Sequence, residues 1–75
     1  MDRKELNKIK KAIKSMRSED NSLYIEGENF SCRWNGKSFT WTINGRTYKN
    51  CTVKDIISWI ADGRYIKYYS YDYTI

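Results

Sequence analysis

The chain has no histidine and no proline, and it has only two cysteines among 75 residues. Without histidine, the commonest general base at neutral pH is missing, and nucleophilic triads built on an imidazole are excluded. Cys32 and Cys51 do not form a CxxC motif, and no histidine can complete a zinc site with them. We therefore expect two unreactive thiols in a reducing cytoplasm.

Long apolar runs are also missing. No stretch approaches the roughly 20 apolar residues of a membrane span, and the charged N-terminus lacks the apolar core of a secretory signal. The carboxylates are scattered near turns and helix ends, and the four glycines form no phosphate-binding loop. These absences predict a cytoplasmic protein that is not an enzyme, needs no cofactor or metal, and does not bind membranes.

The excess positive charge lies in one segment. Residues 1–17 hold seven Lys and Arg residues against Asp2 and Glu5, whereas the rest of the chain holds seven of each sign, so the net charge of +5 belongs to this segment. Apolar residues at three- and four-residue spacing predict an amphipathic helix over about residues 3–18. These apolar residues are Leu6, Ile9, Ile13 and Met16.

The cationic half of this helix favours contact with the phosphates of DNA or RNA, because Lys and Arg supply affinity that does not depend on sequence. The candidate residues are Arg3, Lys4, Lys10, Lys11, Lys14 and Arg17. A lysine-rich face that is merely solvated is the alternative.

Two Asn-Gly pairs predict tight hairpin turns, because both turn positions require a positive φ. We expect strands at Ser22–Glu26, Phe30–Trp34, Lys37–Ile43 and Arg46–Tyr48, with two-residue loops at 35–36 and 44–45. The first loop sets Trp34 opposite Lys37, Cys32 opposite Phe39 and Phe30 opposite Trp41; the second sets Trp41 opposite Tyr48. Both registers place the apolar residues on one face of the sheet and Ser31, Arg33, Ser38, Thr40, Thr42 and Thr47 on the other.

A second helix is predicted over about residues 53–62, with Val53, Ile56, Ile57 and Ile60 on one stripe and Gly63 as its end. A tyrosine-rich strand over 64–75 follows. The prediction is a single α+β domain spanning 1–75, in the order α-β-β-β-β-α-β. Its antiparallel sheet and two helices form two layers, with both helices packed on the apolar face.

The last strand carries five of the seven tyrosines. Alternation places Tyr65, Tyr69, Tyr71 and Tyr73 on one face, with Lys67 and Ile75, and it places Ile66, Tyr68, Ser70, Asp72 and Thr74 on the other. A 75-residue core cannot easily enclose four more rings and their hydroxyl groups, so we interpret part of this tyrosine face as an interface. An edge strand half-covered by the helices is the alternative, and a long edge also invites pairing with a second copy of the chain.

The element order resembles that of the double-stranded RNA-binding domain. That family has a lysine-rich start to its second helix, whereas the corresponding stretch here is Thr52-Val53-Lys54-Asp55, so the resemblance covers the order of elements only. In its small size and proline-free composition, the chain also resembles the small accessory proteins of phages and mobile elements, which often bind and block host machinery. Such an origin would place it in the cytoplasm of the host cell.

Two classes of function follow from these patterns. The favoured hypothesis is a non-enzymatic inhibitor or regulator that contacts a host or cognate protein through Tyr65, Tyr69, Tyr71, Tyr73 and Arg33. The alternative is a nucleic-acid-binding module that uses helix 1. A homodimer formed through the C-terminal strand is compatible with either.

Overall fold

In the part of the chain that the structure describes, two helices and five strands follow one another in the order that the sequence predicts. The computed structural model describes residues 3–61 and 65–73. The elements are α1 (Arg3–Ser15), β1 (Ser22–Gly27), β2 (Phe30–Trp34), β3 (Phe39–Ile43), β4 (Arg46–Cys51), α2 (Val53–Ala61) and β5 (Ile66–Asp72). The strands form one antiparallel sheet in the order β4-β3-β2-β1-β5, so β4 and β5 are its edges. This is the predicted α+β architecture. The predicted ends of helix 2 and of the last strand fall on 62–64 and 74–75, outside the described residues.

Both helices pack on the apolar face of the sheet. α1 contacts β5, α2 contacts β3, and the helices also contact each other. The core between the layers is formed by Ile9, Ala12, Ile13, Met16, Leu23, Ile25, Phe30, Cys32, Phe39, Trp41, Cys51, Ile56, Ile60 and Ile66. We call this side of the sheet the covered face and the opposite side the open face.

α1 ends at Ser15, earlier than the predicted residue 18. The buried Asn21 explains the difference, because its Oδ1 accepts a hydrogen bond from the backbone N–H of Arg17 at 3.0 Å and so stabilises a turn in place of further helix. The indole Nε1 of Trp34 donates to the carbonyl oxygen of Ser18 at 2.9 Å. These bonds fix the connection between α1 and β1 to the sheet.

The predicted register of the first hairpin is wrong by two residues. Trp34 lies opposite Phe39, Cys32 opposite Trp41 and Phe30 opposite Ile43, because the loop has four residues, 35–38. The Asn35 side chain holds this longer loop, since its Oδ1 accepts hydrogen bonds from the backbone N–H groups of Lys37 and Ser38 at 2.9 and 2.8 Å. A two-residue shift preserves the face of every side chain, so the predicted apolar face is correct.

The second hairpin has the predicted turn. Asn44 and Gly45 both have positive φ, at 51° and 80°, and Trp41 pairs with Tyr48 as expected. The strand β4 then continues past the predicted end at Tyr48, with an extra residue near Asn50, whose φ is 60°. This bulge aligns Cys51 with Phe39 on the covered face, where the thiol is buried.

A second bulge corrects the alternation predicted for the tyrosine strand. Glu26 pairs with Tyr68 but Gly27 pairs with Ile66, so Lys67 is the extra residue. Ile66 is therefore buried in the core on the same face as Tyr69, although simple alternation predicts the two residues on different faces of the strand. Beyond the bulge, Tyr69 and Tyr71 pair with Ile25 and Leu23 on the covered face, as predicted.

α2 begins with a reciprocal cap. The backbone N–H of Asp55 donates to Thr52 Oγ1 at 3.2 Å, and the Thr52 N–H donates to Asp55 Oδ2 at 3.1 Å. These bonds satisfy backbone donors that a helix N-terminus leaves unpaired. The cap fixes the direction in which the chain leaves β4, so that Ile56 and Ile60 enter the core.

Candidate binding site on the open face of the sheet

The open face carries aromatic, cationic and hydroxyl side chains, and none of the described helices packs on it. β1 and β5 contribute Tyr24 and Tyr68, and β2 contributes Arg33. Around them lie the smaller polar residues Ser31, Thr40, Thr42, Thr47 and Ser70. The apolar residues of the sheet pack against the helices on the covered face. The polar and aromatic open face is therefore available to a partner.

Tyr24, Arg33 and Tyr68 form one cluster, which we call the Tyr24 cluster. Arg33 lies directly opposite Tyr24 on the neighbouring strand, and its Cζ atom is 5.6 Å from the centre of the Tyr24 ring. The rings of Tyr24 and Tyr68 are 6.2 Å apart and inclined by 51°. Cation–π and tilted ring contacts of this kind hold side chains in place at a surface. Tyr68 is nevertheless 55% exposed, so more than half of its surface is accessible to a partner.

A hydrogen bond orients the central ring. The Tyr24 hydroxyl donates to Glu26 Oε1 at 2.8 Å, on the same strand and the same face. This bond, with some burial and the negative charge of Glu26, raises the pKa of Tyr24 above its ordinary value. The Tyr24 hydroxyl oxygen can still accept a hydrogen bond from a partner while its proton is donated to Glu26.

Two shallow depressions flank the Tyr24 cluster. One has a volume of about 370 Å³ and is lined by Tyr24, Ser31, Arg33, Thr40 and Thr42. The other, of about 390 Å³, extends from Tyr24 and Glu26 across Lys67 to the turn at Asn44 and Gly45. Neither is enclosed and both have more polar than apolar lining, so they suit protruding side chains of a macromolecule better than a small molecule that must be enclosed.

The predicted partner-binding residues are placed in three different environments. Arg33 is exposed in the Tyr24 cluster, and Tyr65 precedes β5 and is 60% exposed. Tyr69, Tyr71 and Tyr73 are half-buried and pack against the core beside α1. Their rings form a ladder with centres 6.1 and 5.7 Å apart. The structure thus has the half-covered edge strand that was the alternative interpretation, and partner contact by these three rings stays a prediction.

The predicted phosphate-binding residues lie together. Arg3, Lys4, Lys11 and Lys14 are exposed on α1, Arg17 is exposed just beyond it, and Lys10 is half-buried. Lys8, which is not among the predicted residues, is also exposed on α1. Within α1, six Lys and Arg residues stand against one acidic residue, Glu5. Such a face retains the full charge that a polyanion would meet.

The two cysteines are buried and not bonded to each other. Burial raises the pKa of the Cys32 thiol to about 12, with a further contribution from nearby Cys51. Burial also raises the pKa of Cys51, and the Asp55 carboxylate adds to it, so the adjacent start of α2 does not activate this thiol. Burial and the raised pKa values make both thiols poor nucleophiles, as expected of core residues.

Within residues 3–61 and 65–73, no group of three or more Cys, Asp or Glu side chains is arranged to hold a metal ion. In the same part of the chain, neither helix is long and apolar enough to cross a membrane.

Tyr24 and Tyr68 are the site residues that sequence reasoning missed. The signal for Tyr24 was present, because the apolar residues Leu23 and Ile25 on either side of it assign Tyr24 to the opposite face. Tyr68 was placed on the face opposite Tyr69, but nothing in the sequence shows that β5 pairs with β1, which brings Tyr68 to Tyr24.

No protein-family model, curated protein or solved structure matches this chain significantly.

Proposed function

We propose that this is a small non-enzymatic binding protein that inhibits or regulates a protein partner, which it contacts through the open face of the sheet. The observation that supports this most strongly is the Tyr24 cluster, where an exposed tyrosine and an exposed arginine are pre-positioned by ring contacts. Tyrosine and arginine, together with tryptophan, are enriched at the energetic centres of protein interfaces. A domain of this size acts most directly by covering a functional surface of its partner.

The chemistry of the cluster indicates what the partner presents. The Arg33 guanidinium suits a carboxylate, which it can bind through two parallel hydrogen bonds. The Tyr24 and Tyr68 rings offer flat apolar surface with polar tips, and the surrounding threonines add hydroxyl groups. The best fit is a partner surface that carries an acidic side chain next to an apolar one.

The test is affinity capture with the full chain from nuclease-treated lysate of the source cell, followed by affinity measurement on the captured protein. Tyr68→Ala and Arg33→Ala should each weaken binding by about tenfold or more, a loss typical of interface centres. Tyr48→Ala is the matched control, because Tyr48 is also a strand tyrosine and is 45% exposed, but it pairs with Trp41 on the covered face. Equal losses for Tyr68→Ala and Tyr48→Ala, or none for Tyr68→Ala and Arg33→Ala, would refute the proposed surface.

A second candidate function is nucleic-acid binding through α1, and the observation that favours it is the set of exposed cations on a helix with a single acidic residue. With about five phosphate contacts, affinity for random-sequence DNA or RNA should fall two to three orders of magnitude between 50 and 200 mM salt. Replacing Lys11 and Lys14 by glutamate should abolish this binding, whereas the same replacement of Arg46 and Lys49, which are exposed on β4, should not. Absence of binding at low salt would eliminate this candidate.

A further inference from the structure

The sheet has two edges that differ in how well they are protected against pairing. β4 carries Arg46 and Lys49 and is interrupted by the bulge near Asn50. Charges and bulges of this kind prevent a free edge from pairing with another strand. β5 also carries two charges, Lys67 and Asp72, and a bulge at Lys67, but these lie near its ends and leave residues 68–71 uncharged and regularly paired with β1. In β4 the uncharged run between Arg46 and Lys49 is only two residues long. β5 is therefore the edge that can accept another strand.

We propose that two copies of this chain associate by antiparallel pairing of their β5 strands, with a two-fold axis through Ser70. This register sets Tyr69 of one copy opposite Tyr71 of the other, and Tyr68 opposite Asp72. Because cross-strand partners share a face, the covered faces of both copies then lie on the same side. The backbone groups of both free edges are satisfied, and the two sheets join into one.

The side chains at the junction are self-complementary. Tyr69 and Tyr71 already stack within one copy, with ring centres 6.1 Å apart and planes inclined by 8°. In the proposed register this stack continues into the second copy, and the half-exposed ring surface is buried. Lys67 and Asp72 each face a tyrosine, so no like charges oppose each other across the axis. A strand from an unrelated protein would satisfy the backbone equally well but would not supply this match.

The charge of α1 gives the association a recognisable salt dependence. α1 contacts β5, so the cationic helices of two copies flank the junction. Their mutual repulsion is screened by salt, which makes the dimer stronger as ionic strength rises. Nucleic-acid binding by α1 has the opposite dependence, so the two effects are distinguishable in one titration.

The experiment is sedimentation equilibrium of the full chain from about 1 to about 500 μM, because dimer stability depends on protomer concentration. Ser70 is exposed on the open face, so charged variants at this position leave the core intact. Ser70→Lys and Ser70→Glu each place two like charges opposite each other at the axis and should raise the dimer dissociation constant about tenfold or more. An equimolar mixture of the two variants should regain dimerisation, since opposite charges then meet.

Thr47→Lys is the matched control, because Thr47 is an exposed open-face residue on the β4 edge, and this variant should dimerise like the unmodified chain. Thermal unfolding of each variant at low concentration checks that the fold is retained. A chain that stays monomeric up to the highest concentration at high salt overturns the proposal. A Ser70→Lys variant that dimerises normally, or a mixture that shows no rescue, overturns the β5 register.

Discussion

Tyr71 and Tyr68 offer a test of which tyrosines stabilise the fold. They lie on the same strand but on opposite faces, so replacing either by alanine costs the same loss of strand propensity. Tyr71 is half-buried against the core and contacts rings on both sides, at 6.1 and 5.7 Å. Tyr68 is 55% exposed and has one ring contact, to Tyr24 at 6.2 Å.

The magnitude follows from burial. Truncating a fully buried aromatic residue to alanine costs about 3–5 kcal/mol, so a half-buried ring should cost about 2 kcal/mol, with up to about 1 kcal/mol more for the ring contacts. Tyr71→Ala should therefore destabilise the chain by about 2–3 kcal/mol, and Tyr68→Ala by less than about 1 kcal/mol. A domain of this length has a free energy of unfolding of about 4–11 kcal/mol, so both variants remain measurable.

The assay is urea unfolding of both variants at a concentration where sedimentation shows monomers, with thermal unfolding as a second measurement. The melting temperatures of the two variants should differ by about 4–24 °C, because their costs differ by about 1–3 kcal/mol and 1 kcal/mol shifts the melting temperature of such a domain by about 4–8 °C. An unchanged m value would show that the variants unfold from the same compact state. If Tyr68→Ala is as destabilising as Tyr71→Ala, the assignment of Tyr71 to the covered face is wrong.

Three further predictions concern the sheet and its core. Trp41→Ala should cost about 3–5 kcal/mol in urea unfolding, because the ring is 2% exposed and stacks on Phe30. Thr42→Ala on the open face should cost less than about 0.5 kcal/mol. Similar costs would contradict the assignment of these two residues to opposite faces of the hairpin. Deletion of residues 69–75 should abolish the cooperative thermal transition, because it uncovers β1 and removes the half-buried rings; a folded truncated chain would show that β5 is dispensable. Gly27→Ala should cost about 1–3 kcal/mol, because its Cβ would overlap the Phe30 ring; a neutral effect by circular dichroism melting would mean that this ring moves aside.

The faces of the strands could be predicted from sequence, but their exact pairing could not. The apolar alternation around Phe39 and Trp41 determines which side chains point inward, and this assignment survives an error of two residues in register. Loop length depended on the Asn35 side chain, whose hydrogen bonds to Lys37 and Ser38 exist only in the folded loop. An Asn-Gly pair alone does not distinguish a two-residue loop from a four-residue one.

The candidate site was predictable only in part, because local sequence determines the face of a residue but not which strands pair. Arg33 was assigned to the open face correctly, because it alternates with buried neighbours on β2. The bulge at Lys67 has no signature in the sequence, yet it changes the face of Ile66 relative to Tyr69. The pairing of β5 with β1 joins residues far apart in the chain, and local pattern carries no information about it. Tyr68 and Tyr24 therefore meet only through the tertiary structure.

The two buried thiols can serve as internal probes of local and global unfolding. The thiolate is the nucleophile that attacks an alkylating reagent, and in the folded state both sulfur atoms are enclosed and held protonated. Alkylation must therefore wait for a fluctuation that exposes the sulfur, and its rate reports how often that fluctuation occurs. Cys32 lies in the middle of β2, whereas Cys51 lies where β4 meets the cap of α2. Labelling that reaches Cys51 first would record local fraying at this junction, and simultaneous labelling would record opening of the whole sheet.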